Sequence, residues 1–224
     1  MSHLEDTDYL EGRFSDSDHQ LLIGGLLSDC EVVCDGRTWA LHKAILGSRS
    51  AFFKKCFLDD WAESETHKVS VDEFNAQQME LLITYIYLGK INFLDLQCRS
   101  ELLRTLVQLW ILGDYFLVPT LCQHALDYIW DVVPCITSSR VDGEYHLVPE
   151  DWYVAGQMVY GSFPKHTIDH DLKAAFLQVT IVQDHHREAI LKMPEFRKLC
   201  LEYREFSSDC MIKIAEQEIA ILDW

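Results

Sequence analysis

The dipeptide Asp35-Gly36 constrains this chain more than any other feature. It separates two runs of five residues, Cys30 to Cys34 and Arg37 to Leu41, both of strand-like composition. A two-residue connection between paired strands requires positive φ at both central positions, which Asp-Gly accepts at low cost, so residues 30–41 are predicted to form a β-hairpin. Lys68-Val69-Ser70-Val71 alternates polar and apolar residues and reads as a third strand. The remainder is helical in pattern. Met79, Leu82, Ile83, Ile86 and Tyr87 fall at i, i+3, i+4, i+7 and i+8. Leu103, Leu106, Val107, Trp110 and Ile111 repeat that spacing, as do Cys122, Ala125, Leu126, Ile129 and Trp130, with Pro119 suited to a first helical turn. Three short strands among amphipathic helices predict an α+β fold.

Pro134 and the polar stretch from Thr137 to Gly143 interrupt the helical pattern and mark a boundary. Beyond it, Leu172, Ala175, Phe176 and Val179 predict a helix with Asp169 and Asp171 in its first turn, where they complement the dipole. Pro194 stops or restarts it, and Phe196, Leu199, Cys200 and Tyr203 predict another helix. Ser207-Ser208-Asp209 offers N-caps for a last helix bearing Met211, Ile214, Ala215, Ile219 and Leu222. These faces are too apolar for a solvated linker, so residues 145–224 are expected to pack on the helices before them. Residues 1–14 are acidic and polar and are expected to be flexible.

A formal net charge of −17 excludes a polyanion-binding surface built from clustered Lys and Arg, so nucleic acid is not an expected partner. An anionic membrane surface is disfavoured on the same ground, and the apolar runs are too short for a membrane span. Glu5, Asp6, Asp8 and Glu11 give the N-terminus the wrong sign for a targeting signal. The eight cysteines are scattered through apolar patterns and read as free thiols in a reducing compartment, cytoplasm or nucleus.

Catalytic chemistry finds little support. Ser50, ahead of Ala51-Phe52-Phe53, reads as a structural N-cap, and the chain contains no Gly-x-Ser-x-Gly. His166 and His170 share a helical face if helical, with His185-His186 downstream, which motivates a distant alternative, a metal-dependent hydrolase. Solvated histidines are the competing reading, because a site needs three or four converging ligands. Cys30 and Cys34 lie about 13 Å apart along a strand, too far to share an ion. Paired carboxylates such as Asp59-Asp60 and Asp72-Glu73 carry no catalytic information in so acidic a chain. No enzyme activity and no cofactor are expected.

The order of motifs resembles the BTB/POZ domain over about residues 25–133. Ser28-Asp29 is followed by the hairpin, by His42-Lys43, and by Ser50-Ala51-Phe52-Phe53. Tyr85-Ile86-Tyr87-Leu88-Gly89 and then Gly113-Asp114-Tyr115 with Val118-Pro119 and Leu121 continue it. The resemblance implies a small, mostly antiparallel sheet flanked by a helical cluster over 15–135, followed by an all-α extension over 145–224 similar to the tail of fungal BTB proteins. It further implies a non-enzymatic interaction module and scaffold that forms a homodimer. Dimeric relatives place an interface helix at the position of Leu21, Leu22, Ile23, Leu26 and Leu27, and line a charged pocket with the positions of Asp29 and Lys43. The competing structural reading has Asp29 capping the strand entry and His42 satisfying buried backbone groups. Gly24-Gly25 is expected to keep that helix short. As an alternative, the chain would be a substrate adaptor of a cullin-based ubiquitin ligase, docking through Met79, Leu81, Tyr87 and Phe93, or a partner of another BTB protein. Cullin-binding relatives carry a hydrophobic-x-Glu triplet where this chain has Met79-Glu80-Leu81, so Leu81 replaces the glutamate.

Overall fold

The structure, a computed structural model, describes residues 17–58, 65–91, 101–138, 148–161, 170–182 and 184–222. The chain forms two compact units, one of residues 1–93 with 112–119, the other of 94–111 with 120–224. Residues 101–111 and 120–138 thus group with the helices that follow.

The first unit begins with helix α1 over residues 17–24. Strand β1 (Cys30–Cys34) and strand β2 (Arg37–Leu41) then form the predicted hairpin. Asp35 and Gly36 hold φ of 49° and 74°, as the two-residue turn demands. Two short helices follow, α2 (Lys43–Arg49) and α3 (Ala51–Leu58), before strand β3 (Lys68–Val71). The sheet order is β2-β1-β3. β1 pairs antiparallel with β2 and parallel with β3, so the sheet is mixed. The hairpin turn permits only an antiparallel neighbour, whereas α2 and α3 supply the crossover that a parallel neighbour needs. Cys30, Val32 and Cys34 are buried on β1, with Trp39, Leu41, Val69 and Val71 beside them in register. Glu31, Thr38, Ala40 and Ser70 are exposed on the alternate positions, the period of a half-buried sheet.

Helix α4 (Ala76–Leu88) is fixed at both ends. Asn75 and Gln78 form a reciprocal capping box at its start, and Gly89 closes it in the left-handed region at φ 67°. Its apolar positions Met79, Leu82, Ile83, Ile86 and Tyr87 are all buried, as the spacing predicts. Helix α5 (Leu102–Tyr115) ends at Phe116, which is fully buried against Phe53 and Phe74. Ser50 joins the neighbouring segments: its hydroxyl donates to the Phe116 carbonyl at 2.6 Å and accepts the Phe53 N–H at 3.2 Å, the N-cap geometry of α3.

The second unit contains residues 102–111 of α5 and the helices that follow: α6 (Pro119–Ser138), α7 (Pro149–Tyr160), α8 (His170–Leu177) running into a π-helical turn at Gln178–Val182, α9 (Asp184–Lys192), α10 (Pro194–Glu202) and α11 (Arg204–Leu222). Pro119, Pro149 and Pro194 each open a helix, where a missing N–H costs nothing. Trp152 is fully buried among Phe176, Phe196 and Phe206, and its indole N–H donates to the Thr180 hydroxyl at 3.1 Å. Gly156 permits the close approach: a β-carbon there would lie 2.5 Å from Leu199 Cδ2 and 2.9 Å from Phe176 Cζ. Asp151 is buried, and its carboxylate accepts the N–H groups of Leu103 and Arg104 at the start of α5. Burial pushes the Asp151 carboxyl up from the ordinary carboxylate range against the lowering effect of those two donors.

Among the described residues Cys30, Cys34, Cys56 and Cys210 are buried and Cys122 and Cys200 half-buried, and none is in a disulfide. Burial pushes Cys30 and Cys210 up to about 12. No described helix is long and apolar enough to cross a membrane.

Candidate functional site

The segment from α1 to β1 carries the features expected of an interaction face. Helix α1 stops at Gly25, whose φ is 57° and whose N–H donates to the Leu21 carbonyl at 2.9 Å. A β-turn over residues 25–28 follows, with the Ser28 N–H donating to the Gly25 carbonyl. Leu27 occupies its third position at φ 63°. That position favours Gly or Asn, because a β-carbon crowds the backbone there. Ile23, Leu26 and Leu27 are 73%, 67% and 81% exposed, and Leu21 and Leu22 are half-buried.

Polar side chains hold this segment, Arg49 and His42 among them. The Arg49 guanidinium, in the last turn of α2, donates through Nη1 to the Ile86 and Tyr87 carbonyls at 2.7 and 2.8 Å. These carbonyls lie at the C-terminal end of α4, where helix geometry leaves acceptors unsatisfied and a cation is favoured. Through Nη2 the same guanidinium reaches Asp18 Oδ2 in α1 at 2.7 Å. His42 Nε2 lies 2.7 Å from the Leu26 carbonyl and Nδ1 lies 2.8 Å from the Tyr87 hydroxyl. A carbonyl can only accept, so Nε2 carries hydrogen; in a neutral ring Nδ1 then accepts from the Tyr87 O–H. Tyr87 in turn accepts the His42 backbone N–H at 3.0 Å. Burial pushes the Tyr87 hydroxyl up to about 12, which keeps that donor in place across ordinary pH.

Asp29 and Lys43 are brought together through the backbone: Asp29 Oδ1 accepts the Lys43 N–H at 2.8 Å and so caps α2 from a distance. The Lys43 ammonium donates to His67 Nδ1 at 2.7 Å. The residues expected to dock a scaffold are placed differently. Met79 and Tyr87 are 0% and 1% exposed, so neither presents a side chain to a partner. Their helical spacing is that of a core face. Leu81 is half-buried. Glu80 is engaged with the sheet, accepting the Trp39 indole N–H at 2.8 Å and pairing with Arg37 at 2.5 Å. Phe93, His166 and the side chains of His170, His185 and His186 lie outside the described residues. Among the described residues no three His, Cys, Asp or Glu side chains converge as a metal site would require.

The sequence reading missed Asp18 and Arg49. The two are 31 residues apart and belong to no periodic pattern, so nothing short-range marks them as a pair.

A family model described as the BTB/POZ domain matches residues 19–130. This chain belongs to the BTB/POZ family. Its BTB/POZ region is similar to human Kelch-like protein 24, 29% identical over 91 residues, which cover 41% of this chain and 14% of that protein. It is also similar to mouse TD and POZ domain-containing protein 1-like, 26% identical over 162 residues, covering 58% of this chain and 44% of the relative. Human Kelch-like protein 23 is 25% identical over 138 residues, covering 61% and 24%. The chain thus spans less than half the length of these curated relatives. Among solved structures, the BTB domain of zebrafish PATZ1 matches with a TM-score of 0.42 and 16% identity, covering 55% of this chain and 92% of that domain. BTB/POZ domains are protein-interaction modules, and the exposed α1–β1 face of this BTB/POZ domain is the candidate site for that role.

Proposed function

We propose that this protein is a non-enzymatic assembly module that associates with a second copy of itself through the face carrying Ile23, Leu26 and Leu27. The observation that carries the reading is Leu27. A leucine at positive φ costs roughly 1 kcal/mol in backbone strain, and at 81% exposure its side chain returns almost nothing to the fold. A residue that is unfavourable locally and unused by the core is accounted for by a partner that covers it. Membership of the BTB/POZ family supports a second copy as that partner. The free buried thiols support a reducing compartment, cytoplasm or nucleus.

Light scattering on the purified chain at tens of micromolar tests this. The expected result is a dimer for the wild type and a monomer for Leu27→Asn, with the variant melting no lower than the wild type. A monomeric wild type overturns the proposal.

The finer alternative, a substrate adaptor on a cullin scaffold, is supported by the similarity to Kelch-like proteins. It has less support from this chain's own residues, since Met79 and Tyr87 are interior and Glu80 is committed to Arg37 and Trp39. Among the described residues of that docking set, Leu81 is left as an accessible contact. Capture of a cullin by wild type, strengthened in Leu81→Glu, would establish the adaptor reading. No capture by either protein removes it and leaves the assembly module standing.

A further inference from the structure

Building on self-association, we infer that Arg49 and His42 are positioning residues for the interface: they hold residues 17–27 in the orientation that presents Ile23, Leu26 and Leu27.

Among the described residues this segment buries little apolar surface. Gly24-Gly25 at the end of α1 raises the cost of forming it. Most helices in folded proteins are stabilised by burying an apolar face. Here the apolar residues Ile23, Leu26 and Leu27 point to solvent, and only Leu21 and Leu22 are half-buried. Polar tethers therefore carry a large share of the attachment. Two of them lie near opposite ends of the segment. The first runs from Asp18 in α1 to Arg49. The second runs from the Leu26 carbonyl in the turn to His42.

Both tethers converge on the last turn of α4. Arg49 is fixed by the Ile86 and Tyr87 carbonyls, so its Nη2 is already aimed before Asp18 arrives. His42 is fixed by the Tyr87 hydroxyl, which orients the ring and commits Nε2–H to Leu26. One residue, Tyr87, thus supports Arg49 with its backbone and His42 with its side chain. That gives its complete burial a role distinct from any docking contact. A planar guanidinium with five donors in a fixed fork can serve three acceptors at once, which a lysine ammonium on a flexible stem does poorly. Pre-ordering the segment lowers the entropy cost that association would otherwise meet. Neither Asp18, Arg49 nor His42 needs to touch the second copy for this to work.

The test uses the full chain with Asp18→Asn, Arg49→Lys and the double variant. Asp18→Asn is a surface change that leaves the core intact. Two readouts are taken: amide hydrogen exchange of residues 21–28 against that of β1–β3, and the dissociation constant of the dimer. Losing a charge-assisted hydrogen bond should speed exchange in 21–28 and raise the dissociation constant, each by about tenfold. Exchange in the sheet should be unchanged, and the double variant should be little worse than either single, because both singles break one shared link. Unchanged exchange in 21–28 overturns the tethers alone. Faster exchange with an unaltered dissociation constant overturns their role in the interface. A wild type that is monomeric overturns the self-association reading itself, a result separable from the exchange data.

Discussion

The two units spend their polar side chains in opposite ways. In the sheet-bearing unit, Arg49, His42 and Asp29 hold backbone and a segment whose Ile23, Leu26 and Leu27 end in solvent. In the helical unit, Trp152, Thr180 and Asp151 are themselves buried, and their hydrogen bonds satisfy groups that would otherwise be orphaned in an apolar interior. The first arrangement maintains a surface; the second specifies a core. Substitutions should therefore cost stability in the helical unit and association in the sheet unit, and the two readouts should separate.

The largest expected effect is at the centre of the helical unit. Trp152→Ala should lose about 3–5 kcal/mol of stability in urea unfolding, because it removes the hub of the Phe176, Phe196 and Phe206 cluster and leaves a cavity. A loss below about 1 kcal/mol would mean the cluster is not a core in the usual sense. Gly156→Ala comes next and tests the sign. Helix propensity alone would make alanine stabilising by about 1 kcal/mol. The clash with Leu199 and Phe176 should reverse this to a loss of about 1–3 kcal/mol. A gain would show that α7 can draw away without penalty.

Asp151 gives a slope with pH instead of a fixed loss. Its folded-state pKa lies above its unfolded value, so the folded chain holds the proton more tightly. Its contribution is greatest below the carboxylate range, falls as pH rises through that range, and is constant above it. The stability difference between wild type and Asp151→Asn should fall over that window and then level off. A flat difference would mean that the Leu103 and Arg104 N–H donors fully offset the desolvation. The smallest effect belongs to the sheet unit. Ile23→Ser should change unfolding stability by no more than about 0.5 kcal/mol, yet dissociate the proposed dimer. Equal losses in both readouts would erase the contrast between the units.

Local chemistry made much of this legible. The hairpin, the third strand and the buried face of α4 follow from turn residues and from periods of two and 3.6. Ser50 was legible as a cap because a hydroxyl ahead of a helical pattern has one common use. The last helix was read less well. It begins at Arg204, so Ser207 lies inside it and donates to the Cys200 carbonyl instead of capping a start. Met79 and Tyr87 illustrate a conflict between two signals. Helical spacing marked them as core, resemblance marked them as docking contacts, and the burial follows the spacing. The parallel β1–β3 pairing and the Arg49–Asp18 link were not visible, since both depend on contacts between residues distant in sequence.

The distribution of cysteines has a practical consequence. Thiolate, not thiol, is the species that reacts with alkylating reagents, and burial holds Cys30 and Cys210 protonated far above neutrality. Each unit therefore contains its own silent thiol, Cys30 in one and Cys210 in the other. Each becomes reactive only when the surrounding structure opens. Mass-resolved alkylation over time would then report the opening of the sheet unit and of the helical unit as two separate clocks in one natural chain, with no label introduced.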